Sequence, residues 1–218
     1  MVPPRVPKGT FAMLLPRRIL FALLFAIMAG LSLSVQRDTI RAESGVSFAG
    51  QLLVASPKIG DPRFRKSVIY MVEHSANGAI GIIVNKLYGT GPLANLMTGF
   101  GMDPGDAKGS IDLHFGGPVA KRGAFILHTS DYTHAESRSI DGTVSFTTDT
   151  KILRAYAAGK GPKRLLFALG YAGWSPGQLE NEIERGDWSI AKPTEGLVFG
   201  DGKGDAWERV VESSELPL

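Results

Sequence analysis

Two stretches of this sequence carry residue types that do chemistry. Glu73-His74 stands beside an Asn77-Gly78 turn signal, and Gly173-Trp174-Ser175-Pro176-Gly177 matches G-x-S-x-G. The second is the pattern of a nucleophile elbow, where a serine sits on a sharp turn between a strand and a helix. In that elbow the backbone N–H after the serine helps to hold the oxyanion, and here that residue is Pro176, which has no N–H. A helix start accounts for the same residues better. Ser175 caps, Pro176 fits the first helical position, and Gln178 completes a capping box. Glu73 and His74 are types used in general acid–base catalysis. As neighbours on a strand they face opposite sides, which places them poorly to act together.

The other constellations are weaker. His74, His114, His128 and His134 show no H-E-x-x-H spacing. A single histidine on a strand is more often a hydrogen-bonded structural residue than a metal ligand, so no metal site is expected. No G-x-G-x-x-G precedes a helix and no G-K-[ST] occurs, which removes the common nucleotide loops. The glycines of Gly78-Ala79-Ile80-Gly81 suit close strand packing or a bulge. The acidic run Glu180-Asn181-Glu182-Ile183-Glu184 reads as the solvated face of a helix. No cofactor and no catalytic residue is assigned.

These residues need elements to position them. Leu52–Ala55, Val68–Val72 and Ala79–Val84 are short apolar runs bounded by breakers, the pattern of strands. Asn77-Gly78 links the second to the third, and its readiness for positive φ predicts a tight hairpin. Gly89-Thr90-Gly91-Pro92 breaks the chain, and a short helix follows over Pro92–Met97. A loop over Gly99–Gly109 leads to strands at Ile111–Phe115 and Ala124–His128, separated by a Gly116-Gly117-Pro118 turn. Ser130–Asp141 reads as a polar loop and Thr143–Thr147 as a strand. A helix capped by Thr148 or Asp149 carries Ile152, Leu153, Tyr156 and Ala157 on one face and ends at Gly159. Leu165–Leu169 reads as a buried strand. The Ser175 helix then runs to Gly186. Late strands are expected at Trp188–Ala191 and Leu197–Phe199, with a last helix over Asp205–Glu212. Strands outnumber helices and mostly come first, which makes the fold α+β rather than doubly wound.

The composition, 44% hydrophobic and 21% charged, is that of a globular chain. Without Cys there is no disulfide, thiolate metal site or thiol nucleophile. Charge is unevenly spread. Residues 1–42 hold six Lys and Arg against one acid, so the rest of the chain carries a net −2. A phosphate-binding domain concentrates positive charge, and this one does not. Arg17-Arg18 directly precede Ile19–Val35, an uncharged, mostly apolar run, and Ser32-Leu33-Ser34 offers a small-x-small cleavage site. Residues 1–44 thus form a leader that exports or anchors the chain, with membrane contact through residues 19–35. Initiation at Met28 instead would delete most of that run and leave a cytosolic protein. Residues 45–218 form one domain of 174 residues, long enough for one core.

Taken in order, several segments resemble the AlgH/YqgE family of bacterial proteins. They are Gly50-Gln51-Leu52-Leu53-Val54-Ala55 with Pro57, Asp61-Pro62-Arg63-Phe64, Ser67-Val68-Ile69-Tyr70, Glu73-His74 and Gly78-Ala79-Ile80-Gly81-Ile82-Ile83-Val84-Asn85. Further on come Phe115-Gly116-Gly117-Pro118-Val119, Gly123, Leu127-His128, Gly170-Tyr171-Ala172-Gly173-Trp174 and Gly177-Gln178-Leu179-Glu180. The resemblance implies a single α+β domain with a twisted, partly closed, largely antiparallel sheet and flanking helices. It implies no enzyme activity. The family takes its name from a regulatory effect on alginate production, has been described as a transcriptional regulator, and is usually read as cytosolic. The hydrophobic leader departs from that pattern. So does Leu87, where a Pro often follows the Asn-basic pair.

The expected function is a non-enzymatic regulatory or protein-interaction role. The candidate binding surface joins Glu73, His74, Asn85, Gly116, Gly117, Pro118 and Trp174, because loops carrying a His, a Trp and free backbone donors are where binding concentrates. A protein partner is expected and nucleic acid is not, and no small-molecule ligand is known. The alternatives are an enzyme of unrecognised mechanism using His74 and Glu73, and a DNA-binding regulator, which the net charge of −2 disfavours.

Overall fold

The structure is a computed structural model that describes residues 47–200 and 205–213. The expected leader, residues 1–44, lies outside them. The strands are β1 (Leu52–Ala55), β2 (Val68–Ser75), β3 (Gly78–Ile83), β4 (Leu87–Pro92), β5 (Ser110–Phe115), β6 (Val119–Thr129), β7 (Arg138–Ser139), β8 (Val144–Thr147), β9 (Leu165–Trp174) and β10 (Trp188–Ala191). The helices are α1 (Leu93–Gly99), α2 (Ile152–Ala157), α3 (Gln178–Glu184), α4 (Glu195–Val198) and α5 (Ala206–Ser213), with a 3-10 turn at Pro62–Phe64.

The sheet runs β10-β1-β2-β3-β9-β6-β8-β7, with β5 branching from β9 and β4 pairing β5. Every pairing is antiparallel except β5 with β9. The far strands curl back over the first ones: Arg138 of β7 donates to the Val72 carbonyl of β2 at 3.3 Å. The fold is therefore the expected α+β domain with a partly closed sheet.

Strand β9 is the axis of this arrangement. Its first half lies between β5 and β6, and its second half pairs β3. Leu166 and Ala168 point into the space enclosed by the sheet, and so does Tyr171, although a regular strand would put residues 168 and 171 on opposite faces. Gly170 makes the switch. Its φ of +76° inserts one left-handed residue, the conformation glycine adopts without a Cβ penalty. Phe167 thus packs outward under α1 and α2, while Ala172 and Trp174 pack outward under α3.

Some expectations need correction. The hairpin forms at residues 75–78, but Asn77 does not have positive φ; only Gly78 does, at +121°. Gly89–Pro92 does not break the chain but belongs to β4, since glycines at an edge are tolerated where a neighbour supplies the ladder. Within the loop over 130–141, Arg138–Ser139 forms the short β7. Leu197–Phe199 is not a strand. Thr194 accepts from the Leu197 N–H and starts the helix α4 there. At α2 neither Thr148 nor Asp149 is the N-cap: that position is Lys151, without a side-chain cap, and Asp149 accepts from the Lys151 N–H in the turn that leads into the helix.

The enclosed core gathers Leu52, Val54, Val68, Tyr70, Val72, Ile82, Leu127, Val144, Leu166 and Ala168, closed at one end by Val198, Phe199, Trp207 and Val210. Tyr70 is fully buried, and its hydroxyl donates to Asp141 Oδ2 at 2.8 Å. Burial and the Asp141 charge push the Tyr70 hydroxyl far above its ordinary pKa, so it stays a donor. Burial raises the Asp141 carboxyl, but the N–H groups of Val144 and Thr143, the Thr143 hydroxyl and Tyr70 outweigh this and leave it below the usual range. A carboxylate whose folded pKa is depressed adds stability above its unfolded pKa, about 4, and loses that stability as pH falls through the folded value. Asp141→Ala should therefore destabilise the domain by about 2–3 kcal/mol at neutral pH, where Tyr70 and two turn N–H groups lose their acceptor. The deficit should shrink below about pH 4. Urea denaturation of the variant across pH checks both.

Candidate functional site

The Asp61-Pro62-Arg63-Phe64 turn, the Gly116-Gly117-Pro118 turn and the start of α3 meet around the end of β9. Each is fixed by local chemistry. Asp61 accepts from the Arg63 N–H and takes the Arg63 guanidinium side-on at 2.6 Å, which holds the Asp61 carboxyl below its usual range. Lys86, its pKa lowered by burial, donates to the Arg63 carbonyl and ties this turn to the sheet. In the glycine turn, a Cβ on Gly116 would lie 2.2 Å from the Gly170 oxygen and one on Gly117 2.1 Å from the Tyr171 carbonyl carbon. The turn therefore presses its bare backbone onto β9.

At the head of α3 the capping box is half formed. Gln178 Oε1 accepts from the Ser175 N–H, but the helix starts from Gly177 in left-handed conformation, and no side chain caps it. Gly177 turns the chain away, which leaves the Ser175 hydroxyl without a hydrogen bond among the described residues. Gln178 is freed to donate to Glu182 Oε1 at 2.8 Å.

Glu182 is the organising residue, and the reading of this helix as a solvated acidic face missed it. Its Oε2 accepts from the indole N–H of Trp174 and from that of Trp188, each at 2.8 Å. The two rings meet edge to face at 6.0 Å, and Phe64 abuts Trp188 at 5.5 Å. Glu180 is engaged too, with His74 Nε2 at 2.8 Å. The Phe48 N–H donates to His74 Nδ1, so Nε2 carries the proton and donates to Glu180. Glu180 and Glu184 stay exposed, as a solvated face requires, and only Glu182 turns toward the indoles; an i, i+2 acidic run does not show which of its carboxylates does so.

A groove of about 580 Å³ opens over this framework, lined by Arg63, Phe64, Pro118, Val119, Trp174, Gln178, Glu182, Arg185 and Asp187. Two ion pairs stand on separate walls: Asp61–Arg63 and Arg185–Asp187, each at 2.6 Å. A second hollow of about 320 Å³, lined by Glu73, Asn77, Gly78, Ile80 and Tyr171, shares Val119, Gly173 and Trp174 with the first.

The sequence-selected residues divide accordingly. Pro118 and Trp174 line the groove, and Glu73 lines the adjoining hollow. His74 is a buried tether for the chain at Phe48. Glu73 instead turns to Arg138 at 3.2 Å, so the two do not form an acid–base pair. Asn85 is structural: its Oδ1 accepts from Val68 N–H and its Nδ2 donates to the Lys66 carbonyl, where Lys66 holds an unusual φ of +53°. Gly116 and Gly117 act through backbone packing on β9. Among the described residues no group of three or more His, Asp and Glu is placed to hold a metal ion.

A single α+β domain with a curled, largely antiparallel sheet and a groove at the end of its central strand defines the class of protein. The family model described as AlgH-like (DUF179) matches residues 52–218. A UPF0301 protein of Methylococcus capsulatus is 43% identical over 81% of this chain and 96% of its own length. One from Rhizorhabdus wittichii is 41% identical over 80% and 93%. The solution structure of the AlgH protein of Pseudomonas aeruginosa superposes with a TM-score of 0.67 at 30% identity, covering 81% of this chain and 93% of that one. A crystal structure of a Corynebacterium diphtheriae protein, 23% identical, shares the fold with a TM-score of 0.63 over 80% and 90%. This chain belongs to the AlgH-like family.

Proposed function

We propose that this chain is a non-enzymatic interaction protein whose groove beside Trp174 receives a segment of a partner protein. The observation that carries this is the state of the polar groups. Glu182 spends its carboxylate on two indoles and Gln178, and His74 spends both ring nitrogens on Phe48 and Glu180. Groups engaged in this way give a rigid wall rather than a free acid, base or nucleophile. The exposed side chains of the groove include Val119, Gln178 and the guanidinium groups of Arg63 and Arg185, each paired with a half-buried carboxylate, which suit the mixed apolar and polar rim of a protein interface. The regulatory effect implied by the family resemblance then works through protein contact, in keeping with the net −2 charge outside residues 1–42.

A photo-crosslinking residue at position 119 of the full chain, in the organism's own cells, tests this. One discrete partner adduct is expected. Arg63→Ala with Arg185→Ala should weaken it about fivefold, while the melting temperature stays within about 2 °C, since exposed ion pairs add little stability. An adduct pattern unchanged by the double variant would sink the proposal. So would a turnover, found in an activity screen of the purified chain, that His74→Ala abolishes.

A further inference from the structure

The outer edge of β4 lies far from the groove and has its own logic. Leu87–Met102, LYGTGPLANLMTGFGM, is sixteen residues without a charge or a histidine. It forms β4 and α1. Leu87 is 42% and Tyr88 58% exposed, high for large hydrophobic side chains. A hollow of about 360 Å³ beside them is lined by Tyr88, Pro92, Leu96, Ile111 and Leu113.

The ladder shows which backbone groups are open. Phe115 N–H donates to the Lys86 carbonyl, and Leu93 N–H donates to the Gly109 carbonyl. In an antiparallel pair the bonded and non-bonded positions alternate, so Leu87, opposite His114, and Thr90, opposite Asp112, turn their N–H and C=O away from β5. The irregularity at Tyr88 preserves that phase on both sides. Among the described residues β4 pairs only with β5. Strand edges of this kind are normally guarded by a lysine, an inward charge or a proline in mid-strand. Here the only proline, Pro92, closes the strand.

We infer that β4 pairs antiparallel with β4 of a second copy of this chain. A two-fold interface sets a residue at the axis against its own counterpart and pairs any other residue i with j and j with i, so a charge close to the axis meets its like. An uncharged edge is the one that tolerates this. An edge strand also offers a donor and an acceptor at each open position, which makes it complementary to itself under antiparallel pairing. The nearby carboxylate, Asp112, sits one strand further in and is held by the Thr90 hydroxyl at 2.5 Å. Leu87 and Tyr88 of each copy then supply the apolar cover for the other's hollow.

Because the chain has no cysteine, single cysteines report this contact cleanly. Leu87→Cys, Tyr88→Cys and Thr90→Cys are each placed in the full chain and oxidised, with Glu184→Cys on α3 as the control. At least one β4 position should cross-link to its own copy about tenfold more than Glu184→Cys, since a disulfide needs the two Cα atoms within about 7 Å. Thr90→Pro spares the backbone bonds to β5 and removes an outward donor, and Thr90→Val, which gives up the same hydroxyl bond to Asp112 but keeps that donor, is its control. The proline variant should abolish concentration-dependent dimerisation in sedimentation experiments while the thermal transition is retained. The inference is overturned by β4 cysteines that cross-link no better than the control. It is equally overturned by a dimer that persists with Thr90→Pro, which would place self-association on another face.

Discussion

Gly170→Ala should unfold the domain or cost it more than about 3 kcal/mol. Two independent terms add. The residue has φ +76°, and forcing an L side chain into that region costs about 1–2 kcal/mol. The new Cβ would also lie 2.4 Å from the Gly117 oxygen and 2.7 Å from the Val119 oxygen. Both are backbone atoms of the turn that packs on β9, so neither swings aside as a side chain would. Relief requires moving either the Gly116–Val119 segment or β9, and with them the groove wall at Pro118. Gly105→Ala supplies the comparison: φ is +49° there, and nothing lies within 4 Å of its would-be Cβ. It should cost only the conformational term. Chemical denaturation of both variants separates strain from collision. Equal losses would show that β9 is free to shift.

Glu182→Ala should destabilise the domain by about 2–5 kcal/mol, because two buried indole N–H groups lose their acceptor at once. Trp174 is 7% and Trp188 3% exposed, so water does not readily take the place of the carboxylate. Glu182→Gln keeps one oxygen in position and should recover about half of the loss. The indoles also report directly. Trp174 and Trp188 are two of three tryptophans in the chain, so emission and near-ultraviolet dichroism should change in the alanine variant below its melting temperature. A Glu182→Ala protein with wild-type stability would mean that the carboxylate is incidental to the site.

Much of the fold was legible in the sequence because its signals are local. Apolar runs between Gly, Pro and Asn marked β1, β2, β3, β5 and β8, and α2 showed itself by helical spacing ending at Gly159. The misread parts depended on partners distant in sequence. β4 has two glycines and a proline and looks like a break; only its ladder to β5 makes it a strand. Leu197–Phe199 has strand composition, but Thr194 and close packing against the enclosed core make it helical. The site was half legible. Trp174 and Pro118 were found from a glycine-rich pattern that flags close backbone approach. Glu182 was not, because nothing in Glu180–Glu184 tells which carboxylate will meet two indoles from β9 and β10. Asn85 and His74 were selected as surface groups and turn out to hold backbone: their partners, Val68, Lys66 and Phe48, lie 17 to 26 residues earlier in the chain.

The position of β9 also sets an order of events in synthesis. Ala79 of β3 is paired with Trp174, 95 positions later in the chain. Until that residue has emerged from the ribosome, the β2–β3 hairpin keeps one edge bare, and α3 with its glutamates has nothing to dock on. At about 5–20 residues per second the nascent chain waits several seconds in that state. Its apolar first strands are open to chaperones throughout that interval, and the outer edge of β1 waits longer still, for β10 at residues 188–191.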